Sequence, residues 1–198
     1  MSGELVAVAT RLCRDHRAVL VGGLAVLHRL GTAHRATVDV DTVTDGPITV
    51  VSGTVIDGYP VDVIDTYAVD AASLPDDATS RLFVVAHRWA FDTGEDLDGM
   101  RVATVAALVA TKAAALANPR RSAAKRESDT FDLWRLLETE PDMHGAPFDL
   151  DQLVDAVIAA HFIDGALRAS NLIRLASPIR EQVDPDDIRA VAAAFLAR

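Results

Sequence analysis

The sequence predicts an α+β protein in which a mixed β-sheet with flanking helices precedes a mainly helical half. Two observations lead to this prediction. Several short apolar runs of strand length occur within the first 65 residues, and two of them are joined by Asp57-Gly58, a strong signal for a two-residue hairpin turn. Beyond residue 66, apolar residues recur mostly at helical spacing. We therefore predict an α/β domain over residues 1–98 and a mainly helical domain over residues 99–198.

The N-terminal domain is expected to alternate helices with strands. Helical periodicity predicts helices over 4–16, 24–30 and 79–92. Apolar, β-branched runs predict strands over 18–21, 36–43, 48–56 and 59–65. Gly22-Gly23 ends the first strand, and Gly31 is expected to stop the short helix that follows, because glycine is favoured directly after a helix.

The C-terminal domain is expected to consist of helices after one short edge strand over 99–102. Helices are predicted over 104–117, 128–139, 149–161 and 185–197. Pro147 and Pro185 lie close to predicted helix starts, where the missing N–H of proline costs little.

The composition bounds the possible functions and the compartment. The net charge of −10 argues against broad nonspecific binding to nucleic acid, although it leaves room for a local basic patch. Cys13 is the only cysteine, which excludes an intrachain disulfide, fits a reducing compartment and is typical of a small core residue. The longest apolar segment, 102–117, is interrupted by Lys112. We therefore expect a cytoplasmic protein that does not enter a membrane.

The most informative segment carries two carboxylates in a predicted strand. Alternate side chains of a strand share a face, so Thr37, Asp39 and Asp41 are expected to project together. Carboxylates spaced in this way repel each other unless they share a hard cation such as Mg²⁺ or Mn²⁺. Asp62 on a neighbouring strand is the expected third ligand, with Asp65 as the second choice. The alternative is that the aspartates lie on a solvated strand face.

Gly22-Gly23 adds a candidate phosphate site upstream of this strand. A strand, a Gly-Gly turn and a helix place backbone N–H groups at a helix N-terminus, where phosphates bind well. The pair alone is equally typical of an ordinary strand-to-helix turn. A glycine turn, a short helix and then Asp-x-Asp form a more specific combination.

This combination resembles the opening motif of nucleotidyltransferases of the AbiEii/MenT type, the toxins of type IV toxin–antitoxin systems. The motif reads Gly-Gly or Gly-Ser, a helix, and then Arg-x-Thr/Ser-x-Asp-x-Asp. The chain matches it at Gly22, Gly23, Arg35, Thr37, Asp39 and Asp41. The resemblance implies the polymerase-β-like nucleotidyltransferase fold with an added helical half, with the first four residues at the nucleotide.

A later match extends the resemblance over residues 20–137. Family members carry a helical lysine, a turn rich in Arg and Lys, and an Asp-x-x-Asp-Leu helix start, which correspond here to Lys112, residues 119–126 and residues 129–133. Ser128 replaces the usual arginine, and the match leaves two registers open, with either Asp129 or Asp132 in the family's position.

Both parts of this later match also have plainer explanations. Lys112 is expected to reach the nucleotide phosphates, or else to extend its amine to the surface. Asp129 is expected to orient that lysine, to help position the acceptor, or simply to cap its helix. The basic stretch contains Arg120, Arg121, Lys125 and Arg126. It is a candidate contact for a nucleic-acid backbone, or a solvated loop.

The resemblance implies transfer of a nucleotide from an NTP, such as ATP, to a tRNA 3′ end, with pyrophosphate released. It also implies a toxin role under the control of a cognate antitoxin protein. The residues implied to be catalytic are Asp39, Asp41, Lys112 and Asp129. The alternatives are a nucleotidyltransferase that acts on a small cationic molecule, and an inactive protein that binds nucleotides or partners on the same fold.

Overall fold

The computed structural model describes residues 3–31, 37–46, 50, 52–65 and 73–198. Within them, six strands form one mixed sheet with flanking helices, and the remainder is mainly helical, so the predicted α+β class is confirmed. The strands are β1 (Val19–Val21), β2 (Val40–Thr44), β3 (Thr54–Ile56), β4 (Tyr59–Asp65), β5 (Glu95–Leu97) and β6 (Met100–Val102). The helices are α1 (Gly3–His16), α2 (Gly22–Leu30), α3 (Ala78–Asp92), α4 (Val105–Ala117), α5 (Ala123–Leu137), α6 (Leu150–Ile158), α7 (Ala166–Ala176) and α8 (Pro185–Leu196).

The sheet places β1 and β2 side by side at its centre. Its strand order is β3-β4-β2-β1-β6-β5. β2 is antiparallel to β1 and parallel to β4, while β6 is parallel to β1. The predicted hairpin is confirmed, since Ile56 pairs with Tyr59 across a turn in which Asp57 and Gly58 both have positive φ.

Three predicted strands differ from the observed ones. The strand expected over 36–43 begins only at Val40, and the one expected over 48–56 is reduced to β3 within the described residues. The segment expected to be an edge strand is β6, which lies inside the sheet because β5 covers it. The β5–β6 turn is Asp98-Gly99, a second hairpin dipeptide with positive φ at both positions. The division at residues 98 and 99 stays a prediction, although the sheet itself continues through Val102.

The helical half also departs from prediction. α5 begins at Ala123, five residues before the expected start, because the Ser122 hydroxyl accepts a hydrogen bond from the Lys125 N–H and caps it. A π-helical segment, Ala159–Asp164, continues α6 beyond its expected end. α7 was not predicted, since its buried face consists largely of small or polar residues: Ala166, Ala169, Ser170 and Ile173.

A continuous apolar core joins the sheet to the helices. α4 lies at its centre, with most of its side chains buried, and packs against α2, α3, α5 and α6. Cys13 is buried as expected, and burial raises the pKa of its thiol to about 12, which makes it unreactive. No helix in the described part of the chain is long and apolar enough to cross a lipid bilayer.

Candidate active site

A cleft of about 340 Å³ opens where the sheet meets α3, α4 and α5. Several of the residues singled out from the sequence line this cleft together: Gly22, Asp41, Asp62, Lys112, Arg121 and Asp129. They come from separate parts of the chain and are brought together by the strand order and by the packing of α4 between its neighbours.

Asp41 lies in the middle of the sheet, opposite Val21 on one side and Asp62 on the other. Its carboxylate rests against the backbone of Gly22. A Cβ added at Gly22 would stand 1.9 Å from Asp41 Oδ2, and the residue has a φ of +68°, so only glycine fits there without displacement. The glycine turn and the carboxylate strand are therefore in direct contact.

The same glycine begins α2, two residues earlier than predicted. Val21 is the N-cap residue and supplies no side-chain hydrogen bond to the first turn of the helix. The first backbone N–H groups of α2 thus have no capping side chain, and they lie beside the cleft. Phosphate binding by Gly22 and Gly23 stays a prediction that is compatible with this arrangement.

Asp39 and Asp41 differ in their electrostatic surroundings. Burial pushes the pKa of Asp39 upward, but the Lys125 amine, 2.6 Å from Asp39 Oδ2, outweighs it and holds the pKa below its usual value. Burial, and then the charge of Asp39, raises the pKa of Asp41 to about 6, which Lys112 and Lys125 only partly offset. The positive charge around Asp41 is therefore too small to offset its burial and the charge of Asp39.

The remaining residues of the carboxylate motif are only partly described. The Thr37 hydroxyl donates to Asp39 Oδ1 at 3.0 Å, so these two side chains are together as expected. The predicted nucleotide contact Arg35 lies outside the described residues. Asp62 faces the cleft and accepts a hydrogen bond from Ser52 Oγ at 3.0 Å, whereas Asp65 is opposite Thr44, further along β4.

Within the residues that the structure describes, no three His, Cys, Asp or Glu side chains gather into a group that could hold a metal ion. The ligand set Asp39, Asp41 and Asp62 accordingly stays a prediction. It requires either a small rearrangement of these carboxylates or oxygen ligands from a bound substrate.

Lys112 does not extend to the surface. Its amine is buried and lies 2.9 Å from Asp129 Oδ1 and 2.6 Å from Asp132 Oδ2. Asp129 does not cap α5, which begins six residues earlier. It also accepts a hydrogen bond from Arg121 Nε at 2.7 Å. Burial alone would raise the pKa of Asp129, but Lys112 and Arg121 hold it below the usual value. Both aspartates of the later motif therefore contact Lys112.

The cations of the basic stretch make contacts within the protein. The Arg126 guanidinium donates to the carbonyl oxygens of Asn118, Pro119 and Arg121, so it holds the turn between α4 and α5. Lys125 reaches back to Asp39, while Arg120 is exposed. Arg121, Lys125 and Arg126 thus have partners within the protein, and the contact of the stretch with a nucleic-acid backbone stays a prediction.

Two cleft residues were missed by sequence reasoning. Phe83 and His87 lie one turn apart on α3, and their ring centroids are 4.2 Å apart. The His87 side chain is buried. The available signal was the i, i+4 spacing of two rings on a helix that flanks the sheet, and only the tertiary structure places them at the cleft.

Comparison with protein-family models, with curated proteins and with solved structures finds no match for this chain.

Proposed function

We propose that this chain is a metal-dependent nucleotidyltransferase that transfers a nucleoside monophosphate from an NTP to an acceptor. The observation that carries the proposal is the contact between Gly22 and Asp41. It brings the uncapped start of α2, suited to phosphates, against a carboxylate whose pKa is raised by burial and by the charge of Asp39. A metal–triphosphate complex would supply both missing partners: a phosphate for the first N–H groups of α2 and a cation for Asp41.

The donor set fits a hard cation with substrate oxygens in the remaining positions. Mg²⁺ usually binds one or two carboxylates together with phosphates and water. Asp39 and Asp41 would hold it, with Asp62 as the neighbour across the parallel strand pair. When bound, the metal would neutralise charge on the reacting phosphates. Lys125 now supplies the positive charge at Asp39, through an exposed side chain that can move away at little cost.

Arg121 is a better candidate than Lys112 for the side chain that donates hydrogen bonds to the nucleotide phosphates. The Lys112 amine already balances two buried carboxylates, so it holds the cluster together and orients Asp129. Asp129 in turn fixes Arg121 through its Nε, which leaves the terminal nitrogens of a half-buried guanidinium at the cleft. A guanidinium positioned in this way suits phosphate oxygens.

The acceptor is proposed from the family resemblance, which points to a tRNA 3′ end, a toxin role and control by a cognate antitoxin. Arg120 and the turn between α4 and α5 adjoin the cleft through Arg121, where a nucleic-acid strand would enter. A small cationic acceptor is the alternative, and the net charge of −10 favours it.

The proposal is tested by offering the purified protein each α-labelled NTP with Mg²⁺ or Mn²⁺, with and without total tRNA. The matched control is Asp41→Asn, which removes one charge and keeps the shape of the side chain. Label in tRNA that depends on Asp41 supports the full proposal. Label only in small molecules keeps the enzyme class and replaces the acceptor. No Asp41-dependent transfer with any NTP would refute the proposed activity.

A further inference from the structure

We propose that Phe83 and His87 form the nucleobase subsite of this cleft, and that His87 favours bases with an exocyclic amino group, as cytosine and adenine have. The inference rests on the proposed function, because it assigns the part of the cleft that would receive the base of the NTP. Neither residue belongs to the carboxylate, glycine or lysine motifs described above.

Phe83 presents an aromatic ring to a concave polar cleft. The residue is 41% exposed, although α3 buries most of its other large apolar residues. The cleft it lines also contains Gly22 and Asp41, where the phosphates are proposed to bind. An accessible ring in such a position is a platform on which any nucleobase can stack.

His87 supplies the polar contact beside that ring. Its Nδ1 lies 2.7 Å from the Phe83 carbonyl oxygen, which can only accept, so Nδ1 carries the hydrogen. Burial lowers the pKa of His87 to about 4, and the ring is therefore neutral at pH 7. Nε2 is then a hydrogen-bond acceptor. It suits the amino group of cytosine or adenine and repels the carbonyl oxygen of uracil or hypoxanthine.

The part of α4 that lines the cleft leaves room for a base. Ala114 and Ala115, two of its lining residues, have small side chains. Thr111 also lines the cleft, and because its hydroxyl donates to the Leu108 carbonyl oxygen at 3.1 Å, its oxygen can still accept a hydrogen bond. The volume of about 340 Å³ is within the range of pockets that hold small ligands.

The stacking contact is tested with NTP analogues whose α,β-bridge is methylene, so that binding is measured without transfer. Affinities with Mg²⁺ are determined by calorimetry for wild type, Phe83→Ala and Phe83→Trp. The alanine variant should bind the analogues about tenfold more weakly, and the tryptophan variant should bind about as tightly as wild type. Inorganic tripolyphosphate should bind all three equally. Phe148→Ala, at an exposed phenylalanine that does not line this cleft, is the matched control.

The amino preference is tested with the analogues of two matched pairs, CTP against UTP and ATP against ITP. Wild type should favour the first member of each pair by about fivefold to tenfold. His87→Phe should abolish both preferences and leave tripolyphosphate binding unchanged. If the larger phenylalanine ring prevents folding, as judged from the melting temperature, His87→Leu is used in place of His87→Phe.

The outcomes separate this inference from the proposed function. If wild type binds the analogues and tripolyphosphate, but Phe83→Ala changes neither affinity, the base lies elsewhere and the subsite is wrong. If both preferences survive in the His87 variants, His87 does not read the base. If wild type binds neither the analogues nor tripolyphosphate, the proposed function fails and the subsite fails with it.

Discussion

Two groups of charged side chains reach the same cleft, one through Asp41 and the other through Lys112 and Asp129, and they differ in how their charge is balanced. In the carboxylate group, Asp39 lies just before β2 and Asp41 within it, and burial and the charge of Asp39 raise the pKa of Asp41 to about 6. In the lysine group, the Lys112 amine lies between two buried carboxylates, and the pKa of Asp129 is held below its usual value. The partner that the fold supplies therefore decides whether the charge of an aspartate is already balanced or still calls for a cation.

The largest expected effect concerns the lysine group. Lys112→Met should lower the free energy of unfolding by about 3–5 kcal/mol, because it removes the buried cation that both Asp129 and Asp132 contact. Lys125→Met, which breaks the more exposed pair with Asp39, should cost less than about 1 kcal/mol. Denaturant unfolding of both variants measures the difference. Equal losses would show that the two groups are not energetically distinct.

The carboxylate group should show the opposite balance between activity and stability. Asp41→Asn should reduce nucleotide transfer by at least about 100-fold, since a metal ligand is lost. The melting temperature should hold or rise, because repulsion within the site is relieved. Single-turnover rates and thermal unfolding test this pair of results. A less stable variant with normal turnover would reverse the roles that we assign to the two groups.

Gly22→Ala tests whether the glycine turn and Asp41 act as one unit. The positive φ costs about 1–2 kcal/mol for any other residue, and the new Cβ would overlap the Asp41 carboxylate, so a total of roughly 2–3 kcal/mol is expected. Gly31→Ala is the matched control, because its φ is also positive but no atom lies within 4 Å of the added Cβ. Similar losses of unfolding free energy in the two variants would mean that the close approach to Asp41 has no energetic weight.

The smallest expected effect is the pH dependence that Asp41 gives to stability. Its pKa in the folded protein, about 6, lies above the ordinary value of 3.8, so the folded state binds this proton more tightly than the unfolded state. The contribution is complete below about pH 4 and is lost as the pH rises through 6, by roughly 1–2 kcal/mol after solvent screening. The difference in unfolding free energy between wild type and Asp41→Asn, followed from pH 4 to pH 7, isolates it. A flat difference would contradict the assigned pKa.

Local patterns predicted the parts of the fold that depend on neighbours in sequence. The Asp57-Gly58 hairpin, the Gly31 stop and the long helices all follow from turn chemistry and periodicity within a few residues. The predicted start of α5 was wrong because a Ser122 cap outweighed the apolar pattern. α7 was not predicted because most of its buried residues are small. The prediction that β6 is an edge strand was wrong, because strand order depends on contacts between distant segments.

The sequence by itself determined the local motifs that make residues candidates for the site, and the tertiary structure decided what surrounds each of them. The Gly-Gly turn and the Asp-x-Asp spacing are visible in the chain, because they are local. That Asp41 touches Gly22, that Lys112 is neutralised by two aspartates, and that Phe83 opens into the same cleft are consequences of packing. A side chain's pKa and its available hydrogen bonds depend on burial and on charges within a few ångströms, and folding brings those groups together from distant parts of the sequence.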